Sequence, residues 1–149
     1  MKKILSIFTI LFTFSFTSHS YSKTEIVEEV DKISHPIVRE ALKLVGIDSS
    51  LEIISIGDIP SGSGLGSSGS FTVGLLNALY QYQGKKLEPP ELAELAFYIE
   101  HEILGEPVGK QDQYIASFGN IICMDISKSG NVEVKKSFIT EENIKKLEE

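Results

Sequence analysis

Residues 57–70 read Gly57-Asp58-Ile59-Pro60-Ser61-Gly62-Ser63-Gly64-Leu65-Gly66-Ser67-Ser68-Gly69-Ser70. They stand between Leu51 to Ile56, which alternates like a strand, and a segment from about Ser68 to Tyr82 that reads as a helix. Strand, glycine-rich loop and helix together bind phosphate. Backbone N–H groups free of side-chain obstruction point into one concavity, and the helix start adds about half a positive charge. Gly62, Gly64 and Gly66 let the main chain approach phosphate oxygens and take positive φ where the turn needs it. Ser67 and Ser68 can offer hydroxyls to phosphate or to a magnesium ion. A plain Gly/Ser turn is the competing reading; three alternating glycines beside a serine pair at a helix start favour the cradle.

The ligand is narrowed by what the loop lacks. No lysine occurs between Gly57 and Gly84, which excludes a Walker A loop. Gly64-Leu65-Gly66-Ser67-Ser68-Gly69 fits the GxGxxG pattern, but a dinucleotide unit needs a second parallel strand after the helix. Here Gly84-Lys85-Lys86-Leu87-Glu88-Pro89-Pro90 leads into another helix instead.

That helix, Pro90 to Leu104, puts Leu92, Leu95, Ala96, Ile99 and Ile103 on one stripe at about 100° per residue. On the same wheel Glu100 lies one step off the stripe, at the edge of the core. His101 falls on the wet face and is read as solvated, and Glu94 and Glu102 as surface acids. Asp112 follows in the polar knot Gly109-Lys110-Gln111-Asp112-Gln113, at the start of a short helix from about Lys110 to Phe118. Alone, Asp112 would be read as a helix cap. Beside a phosphate loop, the two acids complete the parts of phosphoryl transfer. One carboxylate and one Ser suffice for Mg2+ next to a nucleotide, and the other acid can orient an attacking hydroxyl and take its proton. Lys110 is close enough in sequence to act on Asp112 or on a substrate phosphate.

Outward from this centre, His35 or Ser34 can cap a helix over Ile37 to Val45, with Ile37, Ala41, Leu44 and Val45 on one face, Pro36 in its first turn and Gly46 at its end. Tyr21 to Ser34 reads as an irregular, acidic lead-in. Ile121 to Ile126 and Val132 to Lys136 read as strands around the turn Ser127–Asn131, and a last polar helix begins near Glu141. The chain has 149 residues, 42% hydrophobic and 23% charged, with a net charge of −7. One ordinary globular domain fits that composition, whereas a disordered or collagen-like chain does not. No stretch is basic enough to follow a phosphate backbone, so nucleic acid is not an expected partner. Cys123 is the only cysteine, which rules out an internal disulfide and a cysteine zinc site. Met1 to Ser20 forms an apolar leader that reads as either a secretory signal peptide or a strand. It is too short for a comfortable membrane span, and no membrane segment is expected in the body of the chain.

Pro60-Ser61-Gly62-Ser63-Gly64-Leu65-Gly66-Ser67-Ser68-Gly69 resembles the P-x-x-x-G-L-G-S-S-[AG] motif of the GHMP kinases, and Glu100 and Asp112-Gln113 match the spacing of that family's metal-binding Glu and catalytic Asp. Tyr21-Ser22-Lys23-Thr24-Glu25, His35-Pro36-Ile37-Val38-Arg39-Glu40-Ala41-Leu42 and Leu104-Gly105-Glu106-Pro107-Val108-Gly109-Lys110-Gln111-Asp112-Gln113-Tyr114 resemble its D-glycero-D-manno-heptose 7-phosphate kinase branch. The resemblance implies an α+β fold, a partial GHMP-kinase N-terminal domain (ribosomal protein S5 domain 2-like) over residues 21–149, with helices on one face of a mixed sheet. It implies that Pro60, Gly62, Ser63, Gly64, Leu65, Gly66, Ser67 and Ser68 cradle ATP phosphates. Ser68 and Glu100 would hold Mg2+, and Asp112 would act as base on the sugar's anomeric hydroxyl. The partners implied are a nucleotide and a sugar phosphate. The family's opening Pro-x-Arg motif and its second domain are not found in these residues. The expectation is therefore an incomplete domain of weak or no activity, cytoplasmic, whose leader takes a strand's place and whose uncovered apolar surface allows self-association. The alternatives are a non-catalytic ATP- or anion-binding module and, if the leader is cleaved, an exported interaction domain.

Overall fold

Part of the apolar leader, Phe8–Phe14, forms the first strand, β1, in a computed structural model that describes residues 8–14, 21–48, 51–57 and 64–136, together with 143 and 146. Its Ile, Phe and Thr content suits a pleated surface. Strand β2 (Tyr21–Val27) pairs with it antiparallel and β3 (Leu51–Gly57) pairs with it parallel, so the order is β2-β1-β3 and the sheet is mixed. The irregular lead-in expected over Tyr21 to Ser34 is thereby corrected. Its acidic character masked the strand because Glu25 faces inward and accepts hydrogen bonds from Ser34 N at 3.0 Å and Ser34 Oγ at 2.5 Å. A short 3-10 turn, Val30–Lys32, follows.

Helix α1 (Pro36–Val45) begins with His35, whose Nδ1 accepts from Val38 N at 3.4 Å, and ends at Gly46. Gly46 takes φ +74°, and the N–H groups of Gly46 and Ile47 both return to the Leu42 carbonyl. This left-handed stop is open to glycine at least cost. The buried side chains of α1 are Val38, Ala41, Leu42 and Val45, while the expected Ile37 and Leu44 flank them half-buried. Helix α2 (Ser67–Tyr82) packs against α1, and helix α3 (Pro89–Phe97) packs against α2, with Val73, Leu76, Leu92 and Ala96 in the shared core. Leu51, Ile53 and Val27 close this core from the sheet. The register places Ile26, Ile54 and Ile56 together on the opposite face, which is exposed among the described residues. The helices thus cover one face of the sheet.

The helix expected to run to Leu104 changes character at Tyr98. Residues Tyr98–Ile103 are π-helical, and Leu104 N bonds to the Ile99 carbonyl, five residues back, at 3.0 Å. The wider turn shifts the phase of everything after it. Ile103, expected in the stripe, is exposed, and Leu104 packs on the core in its place. Helix α4 (Gln111–Phe118) follows a loop.

The chain divides into two compact units, Met1–Ser117 and Phe118–Glu149. The second holds the hairpin β4 (Ile122–Ile126) and β5 (Val132–Lys136), paired antiparallel with Met124 opposite Val134. Ser127 N bonds to the Asn131 carbonyl at 2.9 Å, and Gly130 takes φ +83° in the turn. The last polar helix expected near Glu141 lies outside the described residues except for positions 143 and 146. Among the described residues no helix is long and apolar enough to cross a membrane.

Candidate functional site

The glycine loop leaves the carboxyl end of β3 and enters α2. Of its expected ligand residues, Pro60, Gly62 and Ser63 lie outside the described residues. Gly64 and Gly66 take φ +76° and +69°, so both adopt the left-handed conformation open to glycine. Leu65 between them is exposed. Gly66 is the N-cap of α2 and provides no side-chain cap; its carbonyl accepts the first helical bond, from Ser70 N at 2.9 Å. The N–H groups at the start of a helix have no partner within it, and they carry the positive end of its dipole. Ser67 is half-buried and Ser68 exposed in this first turn. The Ser68 carbonyl is held by Thr72 Oγ1 at 2.9 Å.

Asp112, in the first turn of α4, lies directly against this turn. A Cβ placed on Gly66 would stand 2.9 Å from Asp112 Cγ and 3.2 Å from each carboxylate oxygen. One placed on Gly69 would meet Asp112 Cβ at 2.9 Å. The first turns of α2 and α4 therefore touch through two bare glycines, and the carboxylate rests at the positive end of α2 while staying solvent-exposed.

Glu100 is deeper than the wheel indicated. It is 1% exposed, as is Gln113, and Gln113 Nε2 donates to Glu100 Oε1 at 3.0 Å. The π turn is the physical reason, since it carries position 100 inward and Ile103 outward. Because Gln113 adjoins Asp112 in the chain, one turn of α4 touches both the glycine loop and Glu100. The structure brings these elements to one place.

Glu94 lies at the surface as expected, its side chain 43% exposed, but it is not isolated. It accepts from Lys110 Nζ at 2.7 Å through both oxygens and from Tyr114 Oη at 2.6 Å. Lys110 is engaged there, with its ammonium 5.0 Å from the Phe97 ring centre. His101 is exposed as expected. It stacks on Phe97 at 4.8 Å and brings Nδ1 within 3.1 Å of the Glu106 carbonyl oxygen.

Among the described residues no three acidic, histidine or cysteine side chains converge into a metal cage. The available donors are oxygens, which suit a hard cation that keeps several waters and takes only one or two protein ligands beside phosphates. Glu100 is a buried carboxylate that no ion pair reaches among the described residues, and Gln113 Oε1 beside it is buried with no hydrogen-bond partner there. Buried charge is stable when paired or bound to metal, so the residues fit such an ion.

Residues 35–120 match the family model described as GHMP kinases N terminal domain. The chain belongs to the GHMP kinase family. Among GHMP kinases, it is 40% identical over 85 residues to D-glycero-alpha-D-manno-heptose 7-phosphate kinase of Campylobacter jejuni, covering 57% of this chain and 25% of that protein. It is 34% identical over 102 residues to the galactokinase of Pyrococcus furiosus, covering 66% of this chain and 28% of that one. In structure it is similar to a D-glycero-D-manno-heptose 1-phosphate kinase from Bacteroides thetaiotaomicron, with a TM-score of 0.67 and 27% identity over 89% of this chain and 45% of that one. The matches to these curated relatives thus span about a quarter of their length. The α+β fold with a mixed sheet, helices on one face, is that of the GHMP N-terminal domain.

The sequence pattern gives no role to Gln113 or Tyr114 and no partners to Glu94. The contacts that define them join residues 13 to 20 positions apart, beyond the reach of any helical period. The only local hint is that a polar residue, Gln113, stands beside Tyr114 in the knot that also holds Asp112.

Proposed function

We propose that the chain carries the ATP-dependent phosphoryl-transfer site of a heptose 7-phosphate kinase-like enzyme and transfers phosphate weakly, in the cytoplasm. The observation that carries this reading is the Asp112 carboxylate resting against Gly66 at the start of α2. A phosphate held by the α2 N-terminus would then lie beside a carboxylate able to receive a proton.

In this reading the loop from Pro60 to Ser68 binds the phosphates of ATP through backbone amides and serine hydroxyls. Glu100 and Ser68 hold Mg2+, which when bound offsets the charge that develops on the phosphate oxygens. Asp112 accepts the proton of the sugar hydroxyl as that oxygen bonds to the γ-phosphorus, and ADP leaves. The α2–α4 contact holds Asp112 in place. The leader stays on the chain in this reading, which fits a cytoplasmic setting: β1 pairs with strands on both sides, so its removal would part β2 from β3. The exposed face bearing Ile26, Ile54 and Ile56 supports self-association.

The test is calorimetric titration of the whole chain with ATP and Mg2+, with and without heptose 7-phosphate, followed by transfer of a labelled γ-phosphate. ATP binding and slow transfer are expected. Asp112→Asn should keep ATP affinity and lower transfer about 10²- to 10⁴-fold, the usual worth of a general base. Undiminished transfer would remove Asp112 from that role. ATP binding without transfer by the unaltered chain would leave a nucleotide-binding module, and no ATP binding would overturn the reading.

A further inference from the structure

Gln113 is the buried polar side chain that phosphoryl transfer, as set out above, leaves without a task. Its Nε2 donates to Glu100 Oε1 at 3.0 Å, both side chains are 1% exposed, and its Oε1 has no hydrogen-bond partner among the described residues. An acceptor buried without a donor is costly, and leucine or methionine would fill a similar volume without that cost. The amide orientation follows from chemistry: turned over, it would set one oxygen against another. The amide therefore faces two ways, as a donor toward Glu100 and as an unsatisfied acceptor on its other side.

We infer that Gln113 is a positioning residue for a divalent cation. Nε2 fixes the Glu100 carboxylate through Oε1 and leaves Oε2 for the ion, while Gln113 Oε1 accepts from a water in the ion's coordination sphere. Mg2+ and Mn2+ keep such waters, and outer partners of this kind orient a ligand and strengthen it. This inference rests on the proposed role of Glu100 as the ion's ligand. It adds that one turn of α4 serves both halves of the site, because Asp112 meets Gly66 and the next residue meets Glu100.

The experiment measures Mn2+ binding to the whole chain in the presence of ATP, by the loss of the free-ion electron paramagnetic resonance signal. It compares the unaltered protein, Gln113→Leu, Gln113→Met, Glu100→Gln and the double variants. Expected is a 10- to 100-fold weaker affinity on changing Gln113, with no further loss where Glu100 is already Gln. Equal affinity of the unaltered and Gln113 variants, with Glu100→Gln weakened, would overturn the role of Gln113 and leave Glu100 as ligand. Unweakened binding by Glu100→Gln would overturn the Glu100 reading and this inference with it. Should both Gln113 variants fail to fold, the Gln113 side-chain amide resonance of the unaltered chain decides. A shift on adding Mg2+ in the presence of ATP supports the inference, and an unmoved resonance overturns it.

Discussion

Glu94 joins two side chains of the Lys110–Tyr114 stretch, and Asp112 lies between them in sequence. The Tyr114 phenol is held above its ordinary range, first by burial and then by its hydrogen bond to Glu94 and the carboxylate's charge. An unfolded tyrosine ionises near pH 10. A folded value raised above that means the stabilising contribution is whole below about pH 10 and is lost as pH climbs past it. Tyr114→Phe should therefore flatten the alkaline fall in stability, and phenolate absorbance should show one fewer late-ionising group among the five tyrosines. An unchanged alkaline limb would refute the assignment. At this scale the described glycines of the loop could be read directly, because alternating Gly residues before a serine pair announce positive φ, and Gly64 and Gly66 have it. The Glu94 partners could not, since nothing in the local pattern says which surface a lysine 16 residues away will reach.

Helix periodicity was legible until the geometry ceased to be α. The stripe through Leu92, Ala96 and Ile99 is buried as expected, whereas across the π turn Ile103, expected in the stripe, is exposed and Glu100, expected at the core's edge, is fully buried. A wheel drawn at one fixed angle cannot show a widened turn, and such turns occur disproportionately at functional sites. Strand β2 escaped notice for a different reason: an inward Glu25 bound by Ser34 breaks the apolar alternation that marks a strand. Helix α2 was read correctly to within a residue, and its central turns are buried while its first turn stays partly open. Leu76 in its centre is fully buried, so Leu76→Ala should cost about 2–5 kcal/mol, measurable as a lower urea midpoint. If the first turn of this helix holds phosphate as proposed, ATP affinity should fall in parallel as the folded fraction falls. A loss of stability of under about 1 kcal/mol would mean that this core relaxes around the missing atoms.

Over the whole chain, the sheet has one face on the core and one bearing Ile26, Ile54 and Ile56, which are 66%, 55% and 75% exposed. Apolar surface of this kind draws in dyes and like molecules. Replacing Ile54 and Ile56 together by Thr should reduce binding of a hydrophobic dye and light scattering at high concentration. Stability should move by only about 0.5 kcal/mol per site, as is usual for exposed positions. Undiminished dye binding would place the sticky surface elsewhere. The leader's strand has a last consequence, which concerns synthesis. Phe8–Phe14 is made shortly before Tyr21–Val27 and can pair with it at once, but its parallel partner, beginning at Leu51, is made roughly forty residues later. Until then the nascent chain exposes a two-stranded ribbon open along both edges, which is the interval in which chaperones would find it and in which slowing translation before residue 51 would do most harm.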